Sequence, residues 1–154
     1  YPAKLQGIEY MVGGWEVLAD TIARWVIDDS KNVCLVYIVK QSSKQGTDIT
    51  TDYVLIGRFT IPSGSNGWKY LRKEAHNNGY FIPEDLAGSS SNGHRDGVYA
   101  YADGSTTGLK EWQCFGNLNL GLASTGRSCA SLYNGLSAAY WHFVGRLSPN
   151  GNRG

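Results

Sequence analysis

Charge is what this sequence has least of towards its end. Glu111 is the last acidic residue and Lys110 the last lysine, and from Trp112 to Gly154 the only charged side chains are Arg127, Arg146 and Arg153. Over the whole chain acids and bases nearly cancel at a net charge of +1. That balance argues against a dedicated nucleic-acid surface and against a polybasic membrane patch. No apolar run approaches the ~20 residues of a membrane-spanning helix. No basic, apolar, small-residue leader opens the chain, which starts at Tyr1, so compartment is not read from the N-terminus. Cysteine is scarce too: Cys34, Cys114 and Cys129 are odd in number and widely spaced, which fits neither a disulfide framework nor a zinc site. Cys34 sits in an apolar run and reads as a core thiol, whereas Cys114 and Cys129 pair only if their Cα atoms lie within about 7 Å.

What is there suits one domain with a real core. The chain has 154 residues, 42% of them hydrophobic, with 20 glycines to make tight turns. Between Gly14 and Asp28 the apolar residues Trp15, Leu18, Ile22, Trp25 and Val26 recur at spacings of three and four, which predicts an amphipathic helix. Val33 to Val39 is β-branched and short, a buried strand, and Tyr53 to Phe59 reads as a second strand stopped by Pro62 and the 63–67 turn cluster. The polar stretch Gln41 to Thr51 is a connection between them. A second, short helix is expected with Trp68, Leu71 and Ala75 inward and Lys69, Arg72, Lys73 and Glu74 outward, ended by Asn77-Asn78-Gly79. From Gly88 to Gly108 the chain is polar and glycine-rich, with Val98-Tyr99-Ala100-Tyr101 as one brief apolar patch.

The acid-free tail is rich in Gly, Ser, Asn, Ala and Leu and carries Trp112, Phe115, Tyr133, Tyr140, Trp141 and Phe143. Small polar groups among aromatics contact ligands at low side-chain entropy cost, as antibody paratopes do. Taken singly, those aromatics read more simply as inward-packing core. Tyr140, His142 and Val144 alternate with Trp141, Phe143 and Gly145, so in a strand the two sets face opposite sides.

Short motifs recur here in a definite order. Gly88-Ser89-Ser90-Ser91 precedes His94-Arg95-Asp96-Gly97-Val98-Tyr99, then come Trp112 to Gly116 and Gly121 to Arg127. Asn134-Gly135-Leu136-Ser137, Trp141 and Val144-Gly145-Arg146-Leu147-Ser148 close the set. This order resembles the C-terminal part of the variable proteins of diversity-generating retroelements, phage receptor-binding tips among them. The resemblance covers about the last 65 residues, and Gly13 to Leu18 is similar to the start of that domain, less specifically.

The resemblance implies an α+β fold: one C-type lectin-like domain over residues 1–154, with short twisted strands, two helices and long structured loops. It also implies that a reverse transcriptase rewrites adenines in the last coding stretch, with a variable region at about 112–148. Gly116, Gly126, Leu136, Trp141, Gly145, Arg146 and Leu147 would then be scaffold. Asn117, Asn119, Ala123, Thr125, Ser128, Ser131, Tyr133, Tyr140, His142 and Phe143 would be the displayed positions. The expected protein is a non-enzymatic binder of a protein or cell-surface ligand, at a virion or cell surface. It would have no cofactor, no metal, no nucleic-acid partner and no membrane insertion, and homo-oligomerisation is compatible with it.

Two rivals stand beside this reading. Formylglycine-generating enzymes use the same lectin-like fold, and Cys114 and Cys129 are similar in placement to their late catalytic cysteines. However, His76, His94 and His142 are scattered, and no His-Glu-x-x-His, Gly-x-Ser-x-Gly or phosphate-cradling glycine motif is present. A sugar-binding lectin or tail-fibre tip without diversification is the other. A calcium lectin needs converging oxygen ligands, and Glu84, Asp85 and Asp96 are followed by a tail without acids. His94, Arg95 and Asp96 read as an internal polar tie, Asp96 capping a turn or pairing with an arginine such as Arg127 or Arg146.

Overall fold

A computed structural model describes residues 4–5, 8–9, 15–77, 80–89, 91, 97–116, 125–136 and 143–145. The strands are β1 (Lys4–Leu5), β2 (Ile8–Glu9), β3 (Trp15–Asp28), β4 (Lys31–Val39), β5 (Tyr53–Thr60) and β6 (Gly67–Tyr70). They continue as β7 (Lys73–Asn77), β8 (Tyr80–Asp85), β9 (Gly97–Ala100), β10 (Gly108–Gly116), β11 (Thr125–Ser131) and β12 (Phe143–Gly145). The expected α+β lectin-like fold with two helices is therefore corrected. The described residues form a nearly all-β, curled half-barrel with no helix of seven or more residues.

The main sheet runs β5-β4-β3-β10-β11-β9-β6, and β12 pairs with β3. Both expected helices are strands, for physical reasons visible in the register. Ile22 to Asp28 pairs with β4 as a regular antiparallel ladder, and its β-branched and aromatic side chains suit a pleated surface. Against β10, Ile22 stands opposite Glu111 and Val17 opposite Gln113. One residue of β10, Trp112, thus spans four of β3, Leu18 to Thr21. This bulge breaks the period of two, and the apolar spacings of three and four on either side imitate a helix. In the second case Trp68 and Lys73 lie on different strands, and Leu71 is buried between them. Asn77 pairs with Tyr80, so Asn77-Asn78-Gly79 stands between two strands and ends no helix.

β3 and β4 are joined by a two-residue turn in which Asp29 (φ 49°) and Ser30 (φ 60°) are both left-handed. That geometry matches the right-handed twist of the flanking strands. Buried Asn32 clamps this corner to the 103–107 segment: its Nδ2 donates to the Thr106 carbonyl at 2.9 Å, and its Oδ1 accepts from Gly104 N–H at 2.7 Å. Gly104 has φ +68°, and a Cβ there would stand 2.7 Å from the Ser30 carbonyl oxygen, so glycine is required twice over.

One face of the sheet carries the main core, with Ala23, Trp25, Cys34, Val36, Ile38, Val98, Ala100, Trp112, Cys114, Ala130 and Leu132. Each fully buried aliphatic chain there contributes about 1.5–3 kcal/mol of transfer free energy. The β7–β8 hairpin closes this face. Ile82 packs on β5 at Gly57, where a Cβ would lie 2.8 Å from Ile82 Cγ2, and Asn77 Nδ2 donates to the Ile56 carbonyl at 2.7 Å. The Tyr80 hydroxyl donates to buried Asp20 in the bulge of β3, tying the hairpin to the sheet centre. A second, smaller cluster of Ile22, Val39 and Tyr53 lies apart from it, covered by Ile49, Leu109 and Leu136. The 41–51 connection is held there by the Tyr53 hydroxyl, which accepts from Gly46 N–H at 3.0 Å and donates to Gly46 O at 3.3 Å.

Candidate ligand-contacting surface

Strand register assembles an aromatic cluster from three separate pieces of chain. Trp68 on β6 stands opposite Tyr99 on β9, and the rings meet edge to face at 5.3 Å. β9 and β11 run parallel with Ser131 beside Tyr99. Two residues further along each strand, Tyr133 therefore comes level with Tyr101, and their rings stack at 5.2 Å with an interplanar angle of 23°. Tyr133 also meets Tyr99 edge to face at 5.1 Å, and the Lys110 ammonium lies 5.3 Å from the Tyr101 ring centre. Such ring pairs add about 0.5–1.5 kcal/mol beyond the area they bury.

The backbone under Tyr133 is fixed on every side. Trp25 Nε1 donates to the Leu132 carbonyl at 2.9 Å, and Leu132 N–H donates to the Tyr99 carbonyl at 3.1 Å. The Tyr101 hydroxyl donates to the Tyr133 carbonyl at 3.1 Å. Glu111 N–H donates to the Asn134 carbonyl at 2.9 Å, and Asn134 Nδ2 donates to Gln113 Oε1 at 3.0 Å. Leu132 is fully buried while Tyr133, next to it, is 45% exposed. Burial pushes the Tyr101 phenol up from its ordinary pKa, with smaller contributions from Tyr133 and Asp103, so Tyr101 stays protonated as a donor.

Of the displayed positions expected from the sequence, Tyr133 is the one seen at the surface. Ser131 is 7% exposed and faces Gln113 across the β10–β11 ladder. Thr125 and Ser128 lie on β11, and Phe143 lies on β12 opposite Trp15; their side chains are outside the described residues. β12 and β11 are separated by β3 and β10, about 14 Å at three strand spacings. Asn117, Asn119, Ala123, Tyr140 and His142 lie outside the described residues, as do His94, Arg95, Asp96, Trp141, Arg146 and Leu147. Of the expected scaffold, Gly116 and Gly126 lie on adjacent β10 and β11, Gly145 stands opposite Val17, and Leu136 packs against the second cluster.

The sequence reading missed Tyr99 and Tyr101 as partners of Tyr133, and Trp68 as the partner of Tyr99. Alternation in Val98-Tyr99-Ala100-Tyr101 signals a strand, but nothing local places Trp68 or Tyr133 beside it. The cysteines are all buried thiols. Cys114 stands opposite Ala130, and Cys129, the neighbour of Ala130 on its strand, points to the other face of the sheet. The two late thiols therefore do not face one another as a catalytic or disulfide pair would. Desolvation pushes the Cys34 thiol far above its ordinary pKa, which keeps it an unreactive core group. Among the described residues no three His, Cys, Asp or Glu side chains are grouped to hold a metal ion. No family model, curated protein or solved structure matches the chain.

Proposed function

We propose that this protein is a ligand- or receptor-binding module whose changeable contact face is carried by its C-terminal third and diversified by a retroelement. The observation that carries the reading is Tyr133: a large aromatic side chain, almost half exposed, on a backbone held by hydrogen bonds from three other strands or their ends. A rigid, amphipathic contact residue loses little side-chain entropy on binding. The acid-free, glycine- and serine-rich composition after Glu111 and the order of motifs around Trp112, Gly126 and Gly145 support the same reading. It does not require a lectin-like fold. It requires that inward residues such as Leu132 carry the stability while exposed neighbours such as Tyr133 are free to change, and alternation along the chain supplies that separation at this pair.

The test is to sequence the 3′ end of the gene across its natural source population. Substitutions are expected to cluster at the codons of Tyr133, Asn117, Asn119, Ala123, Tyr140 and His142, sparing Trp112, Leu132, Trp141 and Gly145-Arg146-Leu147. A segment that is invariant, or that varies evenly across inward and outward positions, would overturn the reading.

A further inference from the structure

A cavity of about 300 Å³ opens between the bulge of β3, strand β10 and the 45–47 segment. Leu18, Ile22 and Leu136 give it apolar walls, and Thr21, Gln45, Thr47 and Glu111 are its polar lining. Glu111 is 6% exposed. Its Oε2 accepts a hydrogen bond from Gln113 Nε2 at 2.8 Å, and Gln113 Oε1 in turn accepts from Asn134 Nδ2 at 3.0 Å. The two amides thus form a relay whose donors both point towards the carboxylate and fix its orientation. Among the described residues no Lys, Arg or His forms a salt bridge with it. The neighbouring Lys110 leans over the Tyr101 ring instead.

A carboxylate withdrawn from water and supported, among the described residues, by one neutral amide is costly to keep ionised. Its pKa is accordingly raised, by desolvation first, with the Gln113 hydrogen bond opposing. The group that best offsets that cost is a cation delivered into the cavity. An alkyl chain suits the leucine and isoleucine walls. A compact ammonium on an alkyl stem suits the polar end, because a point charge needs no planar fork beside an oxygen that already accepts from Gln113. An ammonium has three donors. The side-chain acceptors in the lining include Glu111, the Gln45 amide oxygen, the Thr47 hydroxyl and Thr21, whose hydroxyl proton goes to Asp20 Oδ1 at 3.0 Å and whose oxygen is left to accept.

We propose that this cavity binds an alkylammonium group, with Glu111 as its counter-ion and Leu18, Ile22 and Leu136 against its methylene chain. The site does not rest on the diversified-surface reading and stands or falls apart from it. The test titrates the whole chain, followed by amide chemical shifts, with n-butylammonium chloride and with n-pentanol, a neutral molecule of similar size. On the wild-type protein n-butylammonium is expected to bind at least tenfold more tightly, with shifts centred on Leu18, Ile22 and Leu136. Glu111→Gln, which keeps the shape and removes the charge, should abolish that preference and leave n-pentanol binding unchanged.

Equal binding of the two probes to the wild-type protein overturns the proposal without recourse to any variant. So does an ammonium affinity that Glu111→Gln leaves intact. A third probe, Nα-acetyl-lysine methylamide, separates the sources of the group. If it binds as n-butylammonium does, the site takes a lysine side chain of a partner protein; if n-butylammonium alone binds, the site takes a free amine.

Discussion

Gly57→Ala tests whether the β7–β8 hairpin truly closes the half-barrel. Gly57 lies on β5 with an ordinary negative-φ backbone conformation, so the substitution introduces no left-handed strain and acts by volume alone. The new methyl would stand 2.8 Å from Ile82 Cγ2 and 3.0 Å from both Cγ1 and Cδ1. Ile82 is stiff at χ1 and buried, so it cannot swing aside, and the hairpin must lift or the side chain must leave its rotamer. Overpacking of this kind costs about 1–3 kcal/mol. For a chain of this size that lowers the melting temperature by about 2–4 °C per kcal/mol. Urea unfolding followed by tryptophan fluorescence reads the loss.

The decisive comparison is a double-mutant cycle. Ile82→Ala alone should cost about 2–5 kcal/mol through the cavity it leaves. In the Gly57→Ala background it also removes all three clashing atoms, and the new methyl refills part of the space. The pair should therefore be more stable than the sum of the single changes by about 1–2 kcal/mol, within the range seen for residues in contact. Strict additivity, or a Gly57→Ala protein as stable as the parent, would refute the placement of the hairpin against β5.

Two further outcomes follow from polar groups in the fold. Trp25→Phe removes the indole donor to the Leu132 carbonyl and should cost about 1–3 kcal/mol from that orphaned acceptor alone, read as a lower urea midpoint; an unchanged midpoint would mean the bond is not formed. The Asp103 carboxylate is held well below the usual carboxylate range, first by the Thr106 hydroxyl, then by the Asn66 amide and the Thr106 and Ser105 N–H groups. A folded-state pKa depressed in this way gives stability that is present above the unfolded value of about 3.9 and is lost as pH falls below it. Asp103→Asn should therefore flatten the stability profile below about pH 4, and an unaltered acid limb in thermal melts would count against the 103–106 hydrogen bonds.

Legibility in the sequence followed the range of the forces. The strands at Val33–Val39 and Tyr53–Phe59 were readable because β-branched runs between turn signals state their preference locally. The helix expected over 14–28 failed at Leu18–Thr21, where the bulge inserts extra residues and shifts the apolar phase. A single-strand pattern carries no record of how many residues the partner strand spends, so the irregularity is invisible until β10 is laid beside β3. Tyr133 was singled out as a displayed position by the resemblance to retroelement variable proteins, whereas composition alone favoured an inward ring. Its ring partners were not, because Tyr99 and Tyr101 reach it only through the parallel β9–β11 pairing, and Trp68 joins Tyr99 through the β6–β9 ladder.

The sequence by itself determined the charge-poor C-terminal third, the absence of a long apolar run and the buried character of Cys34, since composition and short-range pattern are properties of the chain alone. Tertiary structure alone decided that Cys114 and Cys129 point to opposite faces, that Ser131 is covered while Tyr133 is displayed, and that Glu111 lines a cavity. These are matters of register and enclosure. A shift of one residue in a ladder sends every side chain of the strand to the other face, and that choice is made by contacts between segments far apart in sequence.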